Sequence, residues 1–126
     1  MKSIYLICYG NAEENVNISL KEGIIGASNH GNIPTGQLVY LIVKRNNNWT
    51  VVASAKVKAV SEKNPFAKPN RYKCFHVDGL KECNPFAISD VCKSELGSGY
   101  GLVLRSPQPI SAERFVDYLE KNFIER

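Results

Sequence analysis

Short apolar runs alternate with polar breaks along most of this chain, and only the last segment has a long helical period. Ile4 to Tyr9 is an apolar run closed by Gly10 and Asn11, the pattern of a short buried strand. Asn11 to Glu22 reads as a short helix or helical turn, with Val16 and Leu20 four residues apart and Gly23 placed to close it. Ile24 to Ala27 is a brief apolar strand. The polar loop Ser28 to Asn32 and a turn at Pro34-Thr35-Gly36 follow it. Leu38 to Lys44 and Trp49 to Val60 are rich in β-branched residues and joined by Asn46-Asn47-Asn48, which predicts a hairpin. Strict alternation in its second strand puts Val51, Ala53, Ala55, Val57 and Ala59 on one face and Ser54, Lys56 and Lys58 on the other.

The pattern is less regular beyond the hairpin. Ser61 to Asn70 is a basic segment holding Pro65 and Pro69, and Tyr72 to Val77 reads as a strand ended by Asp78-Gly79. Asn-Pro-Phe-Ala occurs at Asn64 to Ala67 and again at Asn84 to Ala87. The flanks do not match, so these read as two similar turns rather than a repeat. Tyr100 to Arg105 reads as a last strand before Pro107 and Pro109. Ser111 is placed to cap a C-terminal helix whose stripe is Ala112, Phe115, Val116, Leu119 and Phe123. About six short strands with two helices predict an α+β fold: a small, mostly antiparallel β-barrel with a short N-terminal helix and a C-terminal helix.

Composition narrows the class. At 126 residues, 44% of them hydrophobic, the chain is long enough for one domain (residues 1–126) with a core that needs no metal or disulfide. Leu38 to Val43 is too short an apolar run to span a bilayer, and no signal-peptide pattern is visible, so a cytoplasmic protein or a domain of a larger one is expected. The four cysteines (Cys8, Cys74, Cys83 and Cys92) lack the close pairing of zinc ligands and read as core thiols. No metal or cofactor is expected. The net charge of +4 is uneven, because Lys44 to Lys81 carries Lys44, Arg45, Lys56, Lys58, Lys63, Lys68, Arg71, Lys73 and Lys81 against only Glu62 and Asp78. Such a stripe suits phosphate contact, although it is also what a solvated lysine face looks like.

Candidate chemistry centres on Asn11 and Asn15. An amide both donates and accepts, so two of them four residues apart at a strand-to-helix turn suit the edge of a planar heterocycle. Asn11 with Glu14 is equally a helix capping box, and the two roles are compatible. A Cys–His nucleophile pair (Cys74 with His76, or Cys8 with His30) has no supporting motif, so catalysis is not expected.

The segment Asn11-x-x-Glu14-Asn15-Val16, then Gly23-Ile24-Ile25 and a small-residue pair, resembles the opening of YTH domains, which recognise N6-methyladenine, mostly in RNA. Val39-Tyr40-Leu41, the Asn-rich turn and Val52 to Val57 resemble the YTH central hairpin, and Asn70-Arg71-Tyr72 leading to Val77 and Leu80 is similar to a later strand. YTH domains are relatives of EVE and PUA-like domains, some of which serve McrBC-type restriction systems as specificity modules. The resemblance covers residues 3 to 80 in order.

It implies a nucleic-acid-binding module for DNA or RNA carrying a modified base, and the restriction-system relatives leave open that it is fused to or partnered with a restriction or motor component. Asn11 and Asn15 would hold the flipped-out base, Ser28 and the backbone at Gly10 and Ile25 would line its pocket, and Phe66 and Tyr72 would supply aromatic walls. Lys63, Lys68, Arg71 and Lys73 would hold flanking phosphates. The chain departs from the pattern at Ile25, where the family has a cage tryptophan, and its only tryptophan, Trp49, lies at a hairpin edge. A protein-interaction or small-ligand barrel with no nucleic-acid role is the alternative, since one barrel hosts many functions.

Overall fold

The computed structural model describes residues 2–67 and 71–126, which leaves Lys68 outside the described residues. The strands are β1 (Tyr5–Cys8), β2 (Ile24–Ser28), β3 (Leu38–Arg45), β4 (Asn48–Val60) and β5 (Tyr72–Ala87). The helices are α1 (Glu13–Glu22), α2 (Ser89–Leu96), α3 (Gly101–Arg105) and α4 (Glu113–Asn122). All the strands join one sheet in the order β1-β3-β4-β5-β2. β1 runs parallel to β3, and every other pairing is antiparallel.

The sheet curls until its two edges nearly meet. Tyr9, just past β1, accepts the Gly26 N–H of β2 at 3.2 Å through its hydroxyl, which also bonds Ser19 Oγ of α1 at 2.7 Å. Curvature comes from bulges in the long strands β4 and β5, where extra residues bend a strand and increase its twist. Val52 is one such residue, since Leu41 faces Ala53 while Ile42 faces Val51. Another is centred on Gly79, whose φ is +60°. The β3–β4 turn is tight: Arg45 pairs with Asn48, and Asn46 and Asn47 have φ of 51° and 60°, as a type I′ turn requires.

The curled sheet separates two apolar clusters. The barrel interior holds Ile7, Ile25, Leu41, Ala53 and Phe75, with Phe66 plugging it from the irregular segment. The outer face carries Leu6, Tyr40, Ile42 and Val51 against Ile88, Cys92, Leu104, Phe115 and Leu119 of the C-terminal third. Helix α4 therefore covers the outside of the sheet.

Several expectations change. The bulge at Val52 turns Val51 to the outer cluster while Ala53, Ala55 and Val57 face the interior, so strict alternation fails there. Asp78-Gly79 does not end a strand, because β5 passes through it as a bulge. The second Asn-Pro-Phe-Ala lies inside β5, with Pro85 in an unpaired stretch where no N–H is needed. Tyr100 to Arg105 is helical: Tyr100, Val103 and Leu104 pack on the outer cluster while Leu102 stays 65% exposed. A strand would have placed Leu102 and Leu104 on the same side. Helix α2 was not anticipated, although Ile88, Cys92 and Leu96 fall at i, i+4 and i+8. Neither N-cap is a side-chain cap, since Ala12 and Ala112 occupy those positions rather than Asn11 and Ser111. No described helix is long and apolar enough to cross a membrane.

Candidate nucleic-acid interface

An open cleft of ≈ 1250 Å³ lies where the β1–α1 turn, the end of β2, the start of β5 and helix α3 approach one another. The β1–α1 turn and the first turn of α1 each supply an amide, Asn11 and Asn15, in different settings. Backbone bonds from Ala12 N–H to Tyr9 O and from Glu13 N–H to Asn11 O, both 3.0 Å, start the helix without using the Asn11 side chain. The exposed Asn11 amide therefore faces the cleft unspent on capping. Glu13 turns to the rim, where Arg45 donates Nε and Nη2 to its two carboxylate oxygens at 2.7 Å each. These charge-assisted bonds hold the Glu13 carboxyl below the usual carboxylate range.

Asn15 is only 7% exposed and borders the cleft. Its Nδ2 donates to the Tyr72 hydroxyl at 3.2 Å, which fixes the amide and leaves Oδ1 as an acceptor. Burial raises the Tyr72 pKa, only partly offset by Arg71 and by the Asn15 bond, so this hydroxyl stays protonated at neutral pH and keeps a proton to donate. The Tyr72 ring leans on Phe66 at 5.2 Å and on Tyr9 at 6.2 Å. It also crosses β2 closely, since a Cβ on Gly26 would stand 2.8 Å from Tyr72 Cγ. That approach needs glycine.

The opposite wall comes from the outer layer. Asn29 Nδ2 donates to the Arg105 carbonyl at 2.9 Å and to Ser106 Oγ at 3.1 Å, tying the loop after β2 to the end of α3. Trp49, Tyr100, Leu104, Arg105 and His30 face the cleft from this side. Among the described residues, neither Arg71 nor Arg105 forms a salt bridge, so both guanidiniums are open to an anion.

Of the residues singled out in the sequence, Asn11, Asn15, Ser28, Arg71 and Tyr72 converge on the cleft. Ile25 and Phe66 do not line it. Ile25 is fully buried in the barrel, and Phe66 braces Tyr72 from beneath. Lys63 and Lys73 also lie elsewhere: Lys63 pairs with Glu22, and Lys73 donates to Asn32 Oδ1 at 2.8 Å above the Phe75 ring. Lys63 is paired with a carboxylate, and Lys73 is held by a neutral amide. Sequence reading missed Trp49, Tyr100 and Arg105 as cleft residues, because α3 was read as a strand and its docking beside β1 depends on long-range packing.

Cys8 and His30 both border the cleft, but burial pushes the Cys8 thiol up and disfavours the nucleophilic thiolate. Cys74 is raised for the same reason. Among the described residues no group of three or more His, Cys, Asp or Glu side chains is placed to hold a metal ion.

No protein-family profile and no curated protein matches the chain. Solved structures do. A YTH domain-containing protein, mmi1, in complex with RNA superposes with a TM-score of 0.67 at 13% identity, covering 96% of this chain and 81% of that one. A second Mmi1 YTH domain complex with RNA gives 0.64 at 16% identity, covering 99% and 85%. The Mmi1 YTH domain alone gives 0.64 at 15% identity, covering 95% and 96%. The chain has the YTH-domain fold.

Proposed function

We propose that this protein binds single-stranded nucleic acid and seats one extruded base in the cleft. The observation that carries this is the convergence of Asn11, Asn15 and Tyr72, which offer both donors and acceptors, beside the guanidiniums of Arg71 and Arg105, which form no salt bridge among the described residues. Asn15 Oδ1 accepts from the base edge, the Tyr72 hydroxyl donates to it, and the arginines meet the flanking phosphates. Extruding a base costs a few kcal/mol, offset by stacking and by phosphate contacts. RNA is the first choice of strand, because two structures of this fold are RNA complexes. N6-methyladenine is the first choice of base, on the resemblance of the Asn11 to Val16 segment.

The test is fluorescence anisotropy with short RNA and DNA strands, each with and without one N6-methyladenine, at two salt concentrations. The reading requires binding that weakens steeply with salt and falls at least about tenfold in Asn15→Ala, the loss of one charge-free hydrogen-bonding contact and its partner. Preference for the methylated probe supports the base assignment. Binding without preference keeps the nucleic-acid role and removes the methyl reading. No binding at low salt overturns the proposal.

A further inference from the structure

We propose that the cleft carries a second stacking position, on Trp49, for the nucleotide next to the extruded base; this rests on the nucleic-acid reading above. At ≈ 1250 Å³ the cleft exceeds the range of about 300–1,000 Å³ typical for one enclosed small ligand. The amides and Tyr72 occupy the side built by the β1–α1 turn and β5. Trp49 stands on the side built by the start of β4 and the helices.

The Trp49 backbone is anchored to the start of α2. The Trp49 N–H of the backbone donates to Ser89 Oγ at 2.8 Å, and its carbonyl accepts from Ile88 N–H at 2.7 Å. Part of the ring packs on the outer cluster, and part remains accessible in the cleft. Lys44 Nζ lies 5.5 Å from the ring centroid, and Arg105 reaches the cleft from α3. A fixed, partly exposed aromatic ring flanked by cations is the arrangement on which successive bases of a single strand stack. Tyr100 adds a second aromatic surface on the same wall. A nucleotide covalently continuous with the seated base supplies both chemistries at once: a planar π-face for the indole and a phosphate for Arg105.

Trp49 is the only tryptophan, so its emission reports this position alone. The experiment titrates the intact protein with the tighter-binding short single-stranded probe, reading tryptophan emission and probe anisotropy in parallel. The proposal requires quenching that saturates at the same concentration as the anisotropy change. It also requires Trp49→Leu to weaken the oligonucleotide by roughly 5- to 150-fold, the range of one base–aromatic stack, and to leave unchanged the affinity of a single-nucleotide probe titrated in parallel, which fills only the first position. Anisotropy that saturates and depends on Asn15, with tryptophan emission unmoved, overturns the second position and leaves the nucleic-acid reading standing. No anisotropy change at low salt overturns both. The wild-type emission decides the matter even where Trp49→Leu lowers stability.

Discussion

The Asn15–Tyr72 pair depends on residues that never touch a ligand. Gly26 allows the Tyr72 ring to lie against β2, with Phe66 Cε2 also 3.1 Å from the position of a Cβ. Gly26→Ala is expected to push that ring away, cost about 1–3 kcal/mol as an overpacked site, and weaken oligonucleotide binding. Denaturant unfolding read beside anisotropy checks this, and unchanged values in both would remove the role given to Gly26. The Glu13–Arg45 pair has a pH signature. Its carboxyl is depressed in the folded state, so its contribution is present above the ordinary glutamate pKa and lost as pH falls through the folded value. Both side chains are more than a third exposed, so the contribution is about 0.2–1 kcal/mol. Glu13→Gln should therefore differ from the parent near neutral pH and converge with it in acid, as pH-dependent melting would show.

Helix α4 contributes through one face. Phe115, Val116 and Leu119 are buried against the outer side of the sheet. Leu119→Ala should cost about 2–5 kcal/mol, as large-to-small core changes do. Chemical denaturation measures this directly, and a loss under about 1 kcal/mol would mean that α4 is not docked as described. Helix α3 has a different role. Five residues are too few to be stable alone, so its place depends on Leu104 beneath it and the Asn29 bonds at its end. Loosening that wall, as in Asn29→Ala, is expected to reach Trp49-dependent binding before it reaches global stability.

Across the whole molecule the two clusters also partition the cysteines. Cys74 lies in the barrel and Cys83 and Cys92 in the outer layer, while Cys8 borders the cleft. Burial pushes Cys83 up to about 11 and Cys92 up to about 12. A thiol-specific reagent near pH 8 should label Cys8 first in the native protein and reach the other three only on unfolding, with mass spectrometry identifying the site. Fast native labelling of Cys92 would contradict the docking of α2.

The sequence by itself determined the local elements whose signals are local. The β3–β4 hairpin follows from β-branched runs around an Asn-rich turn, and α4 from its 3.6-residue stripe. Asn11 and Asn15 could be singled out because their side-chain chemistry is written in the residue type, and Tyr72 because the resemblance pointed to its segment. Only the tertiary structure decided the rest. Bulges at Val52 and Gly79 change which face a residue takes, and a bulge is fixed by the partner strand rather than by the strand itself. A helix as short as α3 is selected by the surface it covers. The cleft wall of Trp49, Tyr100 and Arg105 exists because the outer layer docks beside the barrel mouth, and no local pattern records which distant segments will meet.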